Sequence, residues 1–201
     1  RGIGAGCARV FCGEGGTVAI FDIDLPAANL LATELTQTGP GQAFALKCDV
    51  SRPEEIARAI DETVARTGRL DCLINNAGVH PPAMTIDETP LEEVEALLRL
   101  NFLGTYAACK FAVPHLRRTQ GTIVNMSSMT AVLGQDRSTA YAATKGAQLS
   151  LTKSLAIELG PAGIRVNAVL PSNVDTPLMR SWAATLDDPQ SALERVAALQ
   201  V

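Results

Sequence analysis

Along the chain, short apolar runs alternate with longer stretches in which apolar residues return every three or four positions. Thr17 to Asp22 (TVAIFD) has the length and continuity of a buried strand, AANLLATEL has helical spacing, and QAFALKCDV is again strand-like. PEEIARAIDETVAR predicts a helix opening on Pro53 and two acids. Proline has no N–H to lose in a first turn, and carboxylates there complement the positive end of the helix dipole. LDCLINNAG then reads as a strand entering a glycine turn, Leu91 to Leu116 as a long helical region, GTIVNMSS as a strand, Thr139 to Leu159 as a helix and IRVNAVLP as a strand. Strands alternating with helices pair in parallel through right-handed crossovers, so the pattern predicts an α/β fold with a doubly wound parallel sheet. No linker, repeat or low-complexity stretch divides it, which predicts one domain over residues 1–201.

The two ends break the alternation. RGIG opens the chain with no strand before it, and the helical stretch SALERVAALQV closes it with no returning strand. The expectation is a sheet that lacks its first strand and its C-terminal part.

Composition narrows the function. A chain of 201 residues that is 47% hydrophobic can bury a large core. A net charge of −4 with 17 Lys and Arg offers no basic field for a phosphate backbone, so nucleic acid is not an expected partner. No apolar run approaches the roughly 20 residues of a membrane helix, so no membrane partner is expected either. The five cysteines (Cys7, Cys12, Cys48, Cys72 and Cys109) lack CxxC spacing and predict buried thiols in a reducing, cytoplasmic setting, with no metal site.

Gly2 and Gly4 open a segment rich in small residues that suits a helix beginning at a glycine turn, where backbone N–H groups can meet a phosphate. Glycine-rich starts also occur in many loops. Asp22, eighteen residues after Gly4 and at the end of the next strand, stands near the ~20-residue separation of an acid that binds a ribose diol. A carboxylate there repels a 2′-phosphate and Ile23 supplies no compensating base, so the expected cofactor is NAD and not NADP. Asp49, Val50 and the NNAG run from Asn75 to Gly78 also end strands, on the edge of an open α/β sheet where ligands bind. Taken singly, Asn75 and Asn76 read as turn caps.

Tyr141 and Lys145 are i and i+4 near the start of a helix and share a face. A nearby ammonium favours the phenolate, so the pair predicts a tyrosine lowered from its usual pKa of ~10 toward use as a proton acceptor. Ser128 ends a strand thirteen residues before Tyr141, across the loop MTAVLGQDRSTA, where its hydroxyl can donate to a substrate oxygen. Asn101 lies within the long helical region, where a buried asparagine is costly unless its amide is paired.

With these motifs in order, the sequence resembles the short-chain dehydrogenase/reductase family: RGIG as the tail of its glycine turn, CDV, NNAG, the tetrad Asn101, Ser128, Tyr141 and Lys145, and GIRVNAVLPSNVDTP. The resemblance implies a Rossmann-type oxidoreductase with Tyr141 as acid/base and Ser128 polarising the substrate oxygen. Lys145 would bind the nicotinamide ribose and lower the Tyr141 pKa, and Asn101 would hold a water in the proton path. It further implies cofactor contacts at Arg1, Gly2, Ile3, Gly4, Asp22, Asp49, Val50, Asn76, Ala77, Gly78, Tyr141, Lys145, Pro171, Val174 and Thr176. Ser172 departs from the family's Pro-Gly after the sixth strand.

NNAGVHPP, NFLGTY, PHLRRTQG and DTPL look like the hydroxysteroid dehydrogenase branch of that family, a group also associated with L-fucose oxidation. That likeness implies a hydroxysteroid-like secondary alcohol, with an aldose as the alternative, and a pocket lined by His80, Gln135 and Trp182. His80 also reads as a plain loop histidine, Trp182 as core, and His115 as a charge suited to a helix end. A non-catalytic dinucleotide-binding scaffold is the alternative outside enzymology. A homotetramer built through the two long helices is the assembly the resemblance implies.

Overall fold

The computed structural model describes residues 1–198. Its order is α1 (Gly2–Gly13), β1 (Thr17–Asp22), α2 (Leu25–Thr38), β2 (Gln42–Lys47), α3 (Pro53–Thr67), β3 (Cys72–Asn75), α4 (Leu91–Leu97), α5 (Gly104–Thr119), β4 (Thr122–Met126), α6 (Thr130–Leu133), α7 (Thr139–Leu159), β5 (Arg165–Val169), α8 (Pro177–Ala183) and α9 (Pro189–Ala198). The last three residues of the predicted closing stretch, 199–201, lie outside the described residues.

The predicted alternation is present, and every strand pairing is parallel. The sheet falls into two pieces, β1 with β2 and then β3, β4 and β5 in that order, with no ladder between β1 and β3 among the described residues.

Two apolar layers sandwich the strands. On one face α3, α5 and the end of α7 bury Ile56, Ile60, Ala112, Leu116 and Leu159 against Leu73, Ile123 and Val166. Full burial of an isoleucine or leucine side chain contributes about 1.5–3 kcal/mol, so Ile56→Ala would strike this layer directly. On the other face Ala8 and Cys12 of α1 meet Leu35 of α2 over Val18 and Ile20. All five cysteines are thiols, with Cys12, Cys48 and Cys109 buried.

Two local predictions need correction. The helical region from Leu91 runs to Thr119 and is broken by a π-helical segment, Leu98–Leu103, between α4 and α5. Gly104 follows it, and a Cβ there would stand 2.6 Å from the Val50 carbonyl oxygen, which ties this bend to the end of β2. The loop after Ser128 is not wholly irregular, because Thr130–Leu133 forms the short helix α6.

Candidate active site

Helix α7 carries an unusual buried face. Thr144, Lys145, Gln148 and Thr152 are all buried at helical spacing, so a stripe that packing would normally fill with apolar side chains is polar. Buried polar groups must find partners, and these do. Lys145 Nζ donates to the Met126 carbonyl at 2.8 Å and to Gln148 Oε1 at 3.0 Å. Gln148 Nε2 donates to the Asn101 carbonyl and to Thr105 Oγ1, each at 2.7 Å. Thr152 Oγ1 accepts from Asn125 Nδ2, whose amide oxygen accepts from Asn75 Nδ2 at 2.8 Å. Asn75 therefore works inside the sheet and not as a turn cap.

Ser128, Tyr141 and Lys145 come together, with two differences from expectation. Lys145 Nζ lies 5.7 Å from the centre of the Tyr141 ring, and burial pulls its pKa down to about 8. Tyr141 is held above its ordinary value by burial, with a hydrogen bond from Ser128 working the other way. The predicted lowering by the Lys145 ammonium is absent because that ammonium is directed at Met126 and Gln148. Asn101 is fully buried, but its side chain pins the turn after NNAG: Oδ1 accepts from Val79 N at 2.9 Å and Nδ2 donates to Val79 O and Thr144 Oγ1. Its carbonyl accepts from Thr105 Oγ1 and Gln148 Nε2.

Several of the predicted dinucleotide contacts stand close to one another in the structure. Helix α1 starts after Arg1 with no side-chain cap, leaving its first N–H groups to a ligand or solvent. Gly2 has φ +63°, and a Cβ there would meet Thr176 at 3.7 Å; one on Gly4 would stand 2.6 Å from Asn76 Nδ2. Gly78 similarly approaches Asn101 Oδ1 and Lys145 Nζ, at 3.2 and 3.5 Å from an added Cβ. Side chains at Gly4 and Gly78 would therefore press on Asn76 and Asn101 and reach Lys145. Ile3 and Ala77 immediately precede Gly4 and Gly78 in the chain. Asp22 ends β1 with Oδ1 accepting from Asp24 N at 2.9 Å, and Ile23 beside it is exposed. Asp49 accepts from Ser51 N and Oγ, which hold its carboxyl below the usual range, and Val50 follows it. After β5 the Pro171 carbonyl accepts from Met129 N, Val174 is exposed, and Thr176 caps α8 through Met179 N.

The substrate side gathers two of the three predicted pocket residues. The His80 ring lies 4.2 Å from that of Tyr141 and 5.7 Å from that of Trp182, which meets it edge-on. His80 Nδ1 lies 2.7 Å from the Pro81 carbonyl oxygen and Nε2 lies 3.3 Å from Ser138 Oγ. Burial lowers the His80 pKa, and the Lys145 charge adds to that effect. Gln135 is half-buried beyond α6 and does not line the small crevice that Pro81, Met84, Arg137 and Ser138 form beside Tyr141. His115 lies 3.7 Å from Asp61, away from the site.

The family profile described as enoyl-(acyl carrier protein) reductase matches residues 1–200. The chain belongs to the short-chain dehydrogenase/reductase family. It is 46% identical over 200 residues to an L-fucose dehydrogenase of Oryctolagus cuniculus, an alignment covering 100% of this chain and 69% of that one. Levodione reductase matches with a TM-score of 0.92 and 25% identity, over 97% of this chain and 78% of the other. NAD+-bound xylitol dehydrogenase matches with a TM-score of 0.88 and 26% identity, over 97% and 80%. As a member of this dehydrogenase family the chain is an oxidoreductase of CH–OH groups that uses a nicotinamide dinucleotide, which removes the scaffold alternative. No helix among the described residues is long and apolar enough to cross a membrane, and none of their acid, histidine and cysteine clusters could hold a metal. Within this family site, Gln148, Thr105 and Thr144 escaped the sequence reading. The signal for Gln148 was its position three residues after Lys145, on the same helical face.

Proposed function

We propose that this chain is an NAD-dependent dehydrogenase that oxidises a secondary hydroxyl of an aldose of the L-fucose type. The observation that carries the reaction is the juxtaposition of Tyr141, hydrogen-bonded to Ser128, with the buried Lys145. The Tyr141 oxygen takes the substrate's hydroxyl proton, while the Ser128 hydroxyl donates to the same substrate oxygen and holds it in line. Lys145 has three donors, of which Met126 and Gln148 take two, leaving one for a ribose hydroxyl. The first turn of α1, with Gly2, Ile3 and Gly4, would hold the pyrophosphate, Asp22 the adenosine ribose, and Asn76 to Gly78 with Pro171, Val174 and Thr176 the nicotinamide half. The dinucleotide supplies the hydride acceptor when bound. Burial keeps Tyr141 protonated near neutrality, so oxidation gains from alkaline pH and carbonyl reduction does not.

An aldose replaces the hydroxysteroid as the leading substrate for two reasons. The 46% identity is to an L-fucose dehydrogenase. The surroundings of Tyr141 also offer fixed polar groups, with Ser138 and Arg137 lining the crevice and a buried Trp182 Nε1 that no group among the described residues accepts from. A sugar demands several such partners, whereas a steroid demands a long apolar slot. The test is NAD reduction followed by absorbance with L-fucose and an estradiol-type steroid in parallel. Turnover of the sugar alone supports this reading, and turnover of the steroid alone would return the assignment to the hydroxysteroid branch.

A further inference from the structure

We infer that Gln148 is a positioning residue for the reaction, clamping the Lys145 ammonium to the main chain of the π-helical segment through its side-chain amide. The inference rests on the reading of Lys145 as the ribose-binding cation of the site.

The amide has only one chemically consistent orientation. The Asn101 carbonyl can only accept and Lys145 Nζ can only donate, so Gln148 must turn Nε2 to the former and Oε1 to the latter. Thr105 Oγ1 completes the set by donating to Asn101 O at 3.0 Å while accepting from Gln148 Nε2 at 2.7 Å. Every polar atom of the Gln148 side chain is thereby used, in a position that is fully buried. An unpaired amide there would be strongly destabilising, whereas an apolar side chain of similar size would pack without any partner at all.

The clamp has two consequences for Lys145. Its rotamer is fixed from α7 itself, with the Met126 carbonyl at the end of β4 as the second anchor. Its charged form is favoured by the Oε1 acceptor, which opposes the burial that draws the ammonium toward neutrality. The titratable groups that face Lys145 are Tyr141, one turn back in α7, and His80 from the segment after β3. From β4 and the π segment it meets carbonyls and the amide network only, among the described residues. Nothing else charged offsets the loss of Gln148.

The amide holds Lys145 without relaying a proton. Gln148 therefore acts on the orientation and protonation of Lys145, and through Lys145 on the cofactor.

The test compares Gln148→Met, which keeps the volume and removes the acceptor, with Gln148→Glu, which keeps the shape and adds a negative charge. Two readouts are taken: the pH profile of dehydrogenase activity, and the titration of Lys145 by NMR of protein labelled with 13C at its lysine ε carbons. Four lysines make assignment tractable. The expected result is an alkaline limb and a Lys145 titration moved to lower pH in Gln148→Met and to higher pH in Gln148→Glu, with NAD Kd weakened by roughly ten-fold in Gln148→Met. Superimposable Lys145 titrations in folded variants overturn the inference. Because the NMR readout needs no turnover, a shift seen in a protein inactive on every alcohol tried would support the clamp and count against the proposed reaction. If Gln148→Met does not fold, Gln148→Glu alone still decides by the direction of its shift.

Discussion

The imidazole of His80 packs against the phenol ring of Tyr141 with 4.2 Å between centroids and a tilt of 42°. The carbonyl of Pro81 and the hydroxyl of Ser138 hold this ring in place, and under the proposed reaction it stands beside the substrate. Aromatic pairs of this kind contribute about 0.5–1.5 kcal/mol beyond burial, so His80→Ala should raise KM for the alcohol roughly two- to ten-fold. NAD affinity should be unchanged. Steady-state kinetics with each substrate varied separately check this, and equal losses for alcohol and cofactor would place His80 in general packing instead.

Asp22 is expected to set cofactor choice. Its carboxylate stands at the end of β1 with an exposed Ile23 beside it. Wild-type protein should prefer NAD, and Asp22→Ala should raise the NADP-to-NAD ratio of kcat/KM on the order of ten-fold or more by removing like-charge repulsion. A wild-type preference for NADP would refute the assignment.

Lys145 gives a pH-dependent stability prediction with a definite sign. Its folded pKa of about 8 lies below the usual 10.5, so between those values the unfolded chain holds a proton that the folded chain has released. Stability of the wild type therefore rises with pH across that window, relative to a variant without the lysine, by up to about 1.4 kcal/mol per pH unit. Melting temperatures of wild type and Lys145→Met, measured from pH 7 to 10.5, should show the wild type gaining on the variant above pH 8. Parallel curves would mean that Lys145 titrates normally.

The secondary structure was largely readable because α3 carries a strong start signal, Pro53 with two acids, and β1 is a short continuous apolar run. The π segment was not, since its extra residue per turn depends on what Asn101 and Gly104 meet in three dimensions: the Val79 backbone and the Val50 carbonyl. The family resemblance brought Asn101, Ser128, Tyr141 and Lys145 forward as a set, yet the partners of its members could not be read from the sequence. Lys145 spends one donor on β4, 19 positions away, and one on Gln148 of its own helix, while Asn101 spends its amide on the turn after β3 and on Thr144 of α7, 22 and 43 positions away. A polar stripe within α7 was present in the sequence, but only burial distinguishes such a stripe from a solvated face.

Leu98, Leu103 and Tyr106 on the π segment and α5, and Ile157 on α7, are exposed on the two long helices. If these helices build the expected homotetramer, light scattering should give four times the monomer mass, and Leu103→Glu should lower it. A monomer in the wild type would refute that assembly.

The central claim is that Tyr141 moves the proton in an NAD-linked alcohol oxidation. Its most direct test is Tyr141→Phe, assayed for NAD reduction with L-fucose and, separately, for NAD binding. The account predicts a loss of turnover of about 10²–10⁴-fold with binding nearly intact; turnover retained by the folded variant would contradict it.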